Sequence, residues 1–377
     1  MTITLSIPES LKPEDGRFGS GPSKIRPEQI AALDAGATTL LGTSHRQAPV
    51  KQLVASIREG LREFFHLPEG YEVALGNGGA SAFWEIACAS LITRRAAFGT
   101  YGSFSAKFAA NAPFLEDPVL FPGEPGTYRL PELTEGVDTY CWAHNETSTG
   151  VAAPIRRVAG SREAGALTVI DGTSAAGALP VDISQTDVYY FSPQKAFGAD
   201  GGLWVAILSP EAIDRAAGVE SSAHLEGAHR WVPPFLSLTT ALNNSRKDQT
   251  LNTPAVATLI MMENQIRWLN NNGGLAWATT RCAKSASILY SWAERSEYAA
   301  PFVVDADARS NAVVTIDLDE RVQASQVLSI LRENGIVDAA GYRKLGRNQL
   351  RVGVFPSVEP ADVMAFTKCV DYVVEHL

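Results

Sequence analysis

Four segments of this chain repeat one pattern: "YEVALGNGGAS", "DTYCWAHNETSTG", "ALTVIDGTSAAG" and "DVYYFSPQKAFGADGGLWVAIL" each run a short apolar or aromatic stretch into Gly, Ser, Thr, Asn or Asp. Apolar runs of this length, closed by turn residues, read as buried strands. Between and before them lie helical patterns. In "VKQLVASIREGLREFFHL", Val50, Leu53, Val54, Ile57, Leu61 and Phe64 recur at three- and four-residue steps and form one apolar stripe. Strands alternating with helices predict an α/β fold with a mainly parallel, helix-covered sheet. Ligands of such sheets sit at the carboxyl ends of the strands, where these polar residues fall. Several polar clusters should therefore converge on one cleft.

Past about residue 265 the texture changes to a helical "GGLAWATTRCAKSASILYSWAERS", then "NAVVTIDLD", "ASQVLSILRENGIV" and "NQLRVGVFP", a second and smaller α/β pattern. A chain of 377 residues is long for one core. The expected division is an N-terminal arm over 1–16, loosely held in its first ten residues, a large domain over 17–265 and a small domain over 266–377. The stretch from Phe121 to Pro131 reads as a surface loop. With 32 basic against 41 acidic side chains the net charge is -9, which argues against a nucleic-acid partner. Cys88, Cys141, Cys282 and Cys369 show no metal-like spacing, so no metal site is expected and the thiols read as reduced, in a cytoplasmic protein. No apolar run approaches the about 20 residues of a membrane span, and no membrane partner is expected.

One cation stands out: Lys195 in "FSPQKAFGADGG", held between a turn and a cluster of glycines. A lone lysine is usually a solvated surface charge, but a desolvated one can become a nucleophile that forms an imine. Asp171 ends the apolar run "ALTVI" one strand earlier. Alone it reads equally as a cap or turn residue. Together the two suit pyridoxal phosphate, which needs a lysine for its aldehyde and a carboxylate to keep its ring nitrogen protonated. The turn "GNGGAS" before a helix can hold a phosphate on backbone N–H groups. Phe104 can stack on a ring or sit in the core, and Thr147 can donate a hydroxyl or simply close a turn.

The ordered motifs "FGSGPSKIRPEQI", "TSHRQ", "HNETSTG", "FSPQK", "LNTPAVATL" and "NQLRVGVFP" resemble those of the phosphoserine aminotransferases, a class V pyridoxal-phosphate-dependent family, and most closely its actinobacterial branch, over roughly Gly16 to Val374. The resemblance implies the aspartate-aminotransferase-like fold (fold type I) and a homodimer with shared active sites. It implies amino transfer between L-glutamate and 3-phosphohydroxypyruvate in serine biosynthesis, and some relatives also serve pyridoxine biosynthesis. It makes Lys195 the Schiff-base lysine and Asp171 the partner of the ring nitrogen. Ala80, Ser81 and Gln194 would hold the cofactor phosphate, with Phe104 stacked on the ring and Thr147 near its phenolic oxygen. Asn252 and Thr253 would reach the neighbouring subunit's cofactor phosphate. Arg351 would clamp the α-carboxylate, and His45 and Arg46 would meet the distal anion.

Three positions depart from the family pattern. Ser81 stands where many members carry arginine, and Phe104 where tryptophan is common. The His-Arg pair that many relatives use for the substrate phosphate is replaced by "GYRKLGRNQLR", which leaves Arg343, Lys344 and Arg347 as alternatives. The competing readings are another class V enzyme, such as an alanine– or serine–glyoxylate aminotransferase, and a non-catalytic binding protein of the same fold. Small uncharged substrates need no distal cations, and a silent protein has no need of Lys195.

Overall fold

The structure, a computed structural model, describes residues 5–112, 116–223 and 230–377. Ten α-helices punctuate the chain among the described residues: α1 (Pro27–Ala35), α2 (Ala48–Phe64), α3 (Ala80–Ser90), α4 (Ser103–Ala110), α5 (Pro210–Ala223), α6 (Leu238–Ser245), α7 (Val256–Asn271), α8 (Gly274–Arg295), α9 (Ala324–Glu333) and α10 (Pro360–Glu375). The strands are β1 (Glu72–Asn77), β2 (Ala96–Thr100), β3 (Val119–Pro122), β4 (Thr139–Ala143), β5 (Asn145–Glu146), β6 (Val151–Ala152), β7 (Leu167–Asp171), β8 (Val188–Phe191), β9 (Leu203–Leu208), β10 (Ala299–Pro301), β11 (Val313–Leu318) and β12 (Gln349–Gly353).

Seven strands form the main sheet in the order β1-β9-β8-β7-β4-β2-β3, and only β9 runs against its neighbours. Every residue of β4, β7, β8 and β9 is buried, as expected where helices cover both faces. The mainly parallel α/β sheet read from the pattern is thus the one present. The stripe of α2 also falls as expected, with Val50, Val54, Ile57, Leu61 and Phe64 buried and Leu53 partly so. The loop expected from Phe121 begins two residues late. Phe121 and Pro122 end β3, an edge strand, where a proline forfeits no ladder hydrogen bond on its outer side.

The second unit is a three-stranded antiparallel sheet, β10-β11-β12, with its own apolar core under α9 and α10. Residue 265, where the sequence suggested the division, lies inside α7, whose Leu259, Met262, Ile266 and Leu269 all pack in the main core. The chain changes cores along α8: Leu275 and Ala278 belong to the first, Ala286 and Leu289 to the second. A helix propagates by its own hydrogen bonds, so it can cross such a join without any break in composition.

Of the N-terminal arm, residues 1–4 lie outside the described residues, and the rest is fastened down. Ile7 is 1% exposed within the second core, and its N–H donates to Asn334 Oδ1 at 2.9 Å. The alternation of Leu5 and Ile7 with polar residues is the local sign of this anchorage, and Leu5 packs partly buried against the same core. Further on, Phe18 donates to Val337 O at 3.2 Å and accepts from Gly353 N at 2.8 Å. The segment after the arm is therefore a strap laid on the edge of β12.

Candidate active site

Strand β8 aims the lysine. Its four residues are wholly buried, and Ser192, next in the chain, donates to Leu203 O at 2.6 Å, which ties the turn to the start of β9. Gly198 N then donates to Lys195 O at 2.9 Å and closes the turn. The strap covers it: Ser23 N donates to Gln194 O at 2.9 Å, and Lys195 Nζ donates to Ser20 O at 2.7 Å. Gly21 has a positive φ of 137°, and a Cβ there would lie 2.0 Å from Lys195 Nζ. Glycine is required at that point for both reasons. Burial pushes the Lys195 ammonium down to about 8; the charge of Arg351 pushes the same way, and Asp171 and Glu146 oppose them.

Asp171 ends β7, and its register partner on β8 is Tyr190, so the carboxylate and the lysine turn leave neighbouring strands at the same edge. Trp84 Nε1 donates to Asp171 Oδ2 at 3.2 Å, and Thr173 N donates to Oδ1 at 2.8 Å. Beside it His144 is buried, its Nδ1 3.1 Å from the Tyr189 hydroxyl, and burial pushes it down to about 3. It is a neutral imidazole at physiological pH.

Two helix N-termini face the same edge. Helix α3 starts at Ala80 after Gly79 with no side-chain cap, so the N–H groups of Ala80 and Ser81 are free for an anion. Helix α4 carries Phe104 at its second residue. Between them, Thr147 donates its hydroxyl to Ser174 Oγ at 2.8 Å, and Ser174 passes its own proton to Asn145 O at 3.1 Å. Arg351, on β12, comes from the small unit. Its Nη1 donates to Thr147 O at 3.1 Å, and its guanidinium lies 5.4 Å from the Tyr342 ring centroid. The Tyr342 ring is in turn 5.7 Å from that of Phe104. Burial also lowers the Arg351 pKa, yet a guanidinium stays charged.

The remaining sequence-derived residues form a second, more exposed group. His45 Nδ1 lies 3.3 Å from Thr253 Oγ1, and Asn77 Nδ2, at the end of β1, donates to Thr253 O at 2.9 Å. Burial and then the neighbouring Arg46 charge lower the His45 pKa. Arg46, Asn252 and Thr253 are exposed. Of the three alternative cations, Arg347 is committed: its Nε lies 3.1 Å from both Asp317 carboxylate oxygens, and it stacks 4.6 Å from the Phe302 ring. Arg343 and Lys344 are exposed on a short helical turn.

Sequence reasoning missed Ser20 and Gly21 over the lysine, Trp84 and His144 around Asp171, Tyr342 beside Arg351, and Glu146. Trp84 lies four residues after Ala80, on the same face of α3 as the phosphate turn, which is the one signal that pointed to it.

Three buried polar atoms suit an anion-bearing cofactor and substrate. Arg351 Nε, Gln194 Oε1 and His45 Nε2 are among the buried side-chain atoms without partners among the described residues, and these three lie on the side chains the cleft presents. Gln194 makes no side-chain hydrogen bond among the described residues, so its amide can turn its NH₂ toward an anion. A buried lysine and aspartate on adjacent parallel strand ends, inside a fold of this topology, define a pyridoxal-phosphate transaminase of fold type I. The family model Aminotransferase class-V matches residues 125–347, and the chain belongs to that family. Within it the chain is one of the phosphoserine aminotransferases, being 56% identical to that of Rhodococcus opacus (strain B4) over the full length of both chains. Among solved structures, the phosphoserine aminotransferase of Cytophaga hutchinsonii shares the fold at a TM-score of 0.84 and 21% identity, over 95% of this chain and 99% of that one. The alanine–glyoxylate aminotransferase of a Nostoc species shares it at 0.78 and 20% identity, over 98% and 96%. Fold alone therefore does not separate these two activities; sequence identity does.

Proposed function

We propose that the cleft moves an amino group between L-glutamate and 3-phosphohydroxypyruvate, giving 2-oxoglutarate and O-phospho-L-serine, as the phosphoserine aminotransferase family does. Pyridoxal phosphate, the cofactor of this family, supplies an aldehyde that takes up amines and a ring that accepts the electrons released at Cα. The observation that carries this reading is the buried Lys195 held beside Asp171 with Arg351 Nε unpartnered nearby.

Lys195 would hold the aldehyde and, once freed, take the Cα proton: with its pKa pulled to about 8, a useful fraction is neutral amine near physiological pH. Asp171, held by Trp84 and Thr173, would keep the proton on the ring nitrogen. The free N–H groups of Ala80 and Ser81, with the Gln194 amide, would hold the phosphate, while Phe104 covers a ring face. The Thr147 proton points to Ser174 in this structure, so Thr147 would exchange that bond to donate to the phenolic oxygen. Arg351 would take the α-carboxylate common to both substrates, its planar fork matching two carboxylate oxygens.

The distal anion would be met by Arg46 with His45, and by Arg343 or Lys344 rather than Arg347. Arg46, Asn252 and Thr253 are exposed around the buried His45, and we assign all four to a site shared across a homodimer. We keep the two-domain division, with the join along α8. Among the described residues no helix is long and apolar enough to cross a membrane, and the four cysteines are buried free thiols, which supports a cytoplasmic enzyme. The test is a keto-acid panel against glutamate, with and without the phosphate group. A preference for the phosphorylated acid is expected; equal turnover of both would leave transamination standing and remove the substrate assignment. Lys195→Ala should lack the visible absorption of the cofactor-bound enzyme and lose at least about a thousandfold in turnover.

A further inference from the structure

Glu146 is 0% exposed, and the functional assignments above give it no role. Its Oε1 accepts from Ser148 N at 3.1 Å and Ser148 Oγ at 2.6 Å, while Oε2 accepts from Ser105 N and Ser105 Oγ, both at 2.9 Å. Phe104 N is shared between the two oxygens, at 3.3 and 3.2 Å. Ser148 Oγ in turn accepts from Ser103 N at 3.0 Å. The carboxylate thus stops the open end of α4 from a strand distant in sequence, where the helix has no cap of its own. Gly102 makes room for it: a Cβ at that position would lie 2.2 Å from Glu146 Cγ.

A buried carboxylate on one helix end would ordinarily be read as a cap and nothing more. Two placements take it further. The backbone group it holds belongs to Phe104 itself, and its own chain neighbour is Thr147, whose carbonyl receives Arg351 Nη1. One rigid group therefore sets the ring-covering phenyl, the hydroxyl assigned to the phenolic oxygen and the clamp from the other unit in a single frame. We propose that Glu146 is the positioning residue of the cleft, which fixes Phe104 and Thr147 against the cofactor ring through its bonds to α4. The proposal rests on the cofactor reading given above. Its charge also favours the protonated Lys195, in the sense the lysine's surroundings indicate.

The step this makes is geometric. A stacked ring gains most when the phenyl plane is held parallel and in contact, and a helix end free to fray cannot hold it. Replacing the carboxylate by an amide of the same shape puts an NH₂ where only acceptors are tolerated, and leaves donors of Phe104, Ser105 or Ser148 unpaired.

The test uses the full chain, stripped of cofactor and titrated back with pyridoxal phosphate, with visible circular dichroism of the bound cofactor as a second readout. For Glu146→Gln, affinity should fall about tenfold or more and the visible dichroism should weaken, since the ring is no longer held in one orientation. Added to Phe104→Ala, the same change should cost about threefold or less, because its effect acts through that side chain. Ser148→Ala removes the hydroxyl that donates to Glu146 Oε1 and accepts from Ser103 N, and should show the same pattern more weakly if Glu146→Gln does not fold. Unchanged affinity and dichroism in a folded variant, or full additivity with Phe104→Ala, would overturn the positioning role while the cofactor reading stands. A wild-type chain that binds no pyridoxal phosphate would overturn both.

Discussion

Lys195 carries a charge into a site that does not favour it, and this has two readable consequences. Its pKa falls from the ordinary 10.5 to about 8, so from about 8 to 10.5 the unfolded chain binds the proton that the folded chain has lost. In that window the cofactor-free protein should gain stability as pH rises; below about 8 the full cost is present, on the order of 3 kcal/mol. Lys195→Met should therefore raise the melting temperature of the cofactor-free protein at pH 7 and abolish the rise across the window. The second consequence concerns Arg351, the strongest neighbouring charge acting on that lysine after burial itself. Arg351→Met should move the midpoint for pH-dependent acylation of Lys195 upward in the cofactor-free protein. A midpoint that stays put would mean the two groups do not sense each other. Lys195 and Asp171 were legible in the sequence because Asp171 ends one apolar run and Lys195 follows the next by a short turn. Glu146 and Trp84 were not, because what marks them is a partner about forty and ninety positions away, and no local pattern encodes it.

Among the elements, the strap and the two helix N-termini, that of α3 open and that of α4 held by Glu146, frame what the strands can present. Gly21→Ala should displace the lysine side chain and strain the backbone by about 1–3 kcal/mol. The expected readout is a loss of cofactor affinity well beyond the fall in thermal stability. The triple "RKLGR" shows the limit of reading charge from sequence: three cations in five residues looked interchangeable. The ladder separates them, because Asp317 pairs with Gln349 across β11 and β12 and so sits beside Arg347. Arg347→Ala should leave discrimination between phosphorylated and plain keto acids intact and cost at most about 1 kcal/mol, the usual worth of a surface pair. Removing Arg343 and Lys344 together should raise the KM of the phosphorylated acid selectively. The motif glycines were legible as turns, but which side chain each one makes room for was not, since that depends on a segment elsewhere in the chain.

At the scale of the molecule, the candidate cleft takes Asp171 from the large sheet, Lys195 from the turn beside it and Arg351 from the small sheet. Ile7 shows how far the second core reaches: Ile7→Ala should cost about 2–4 kcal/mol in a denaturant melt while leaving both substrate KM values near wild type. The large parallel sheet was readable from four repeated segments, since burial on both faces leaves a run of apolar residues. The join was not, because a continuous helix spans it. The strap from Phe18 to Ser23 has one more consequence, which concerns how the protein folds. It brings a segment against β12, which follows it by more than three hundred positions, and Ser20 of that segment holds the lysine. The large sheet contains neither segment, so it pairs through shorter-range contacts, whereas the cover over Lys195 needs this distant one. In refolding, the helical signal should therefore return before cofactor binding does.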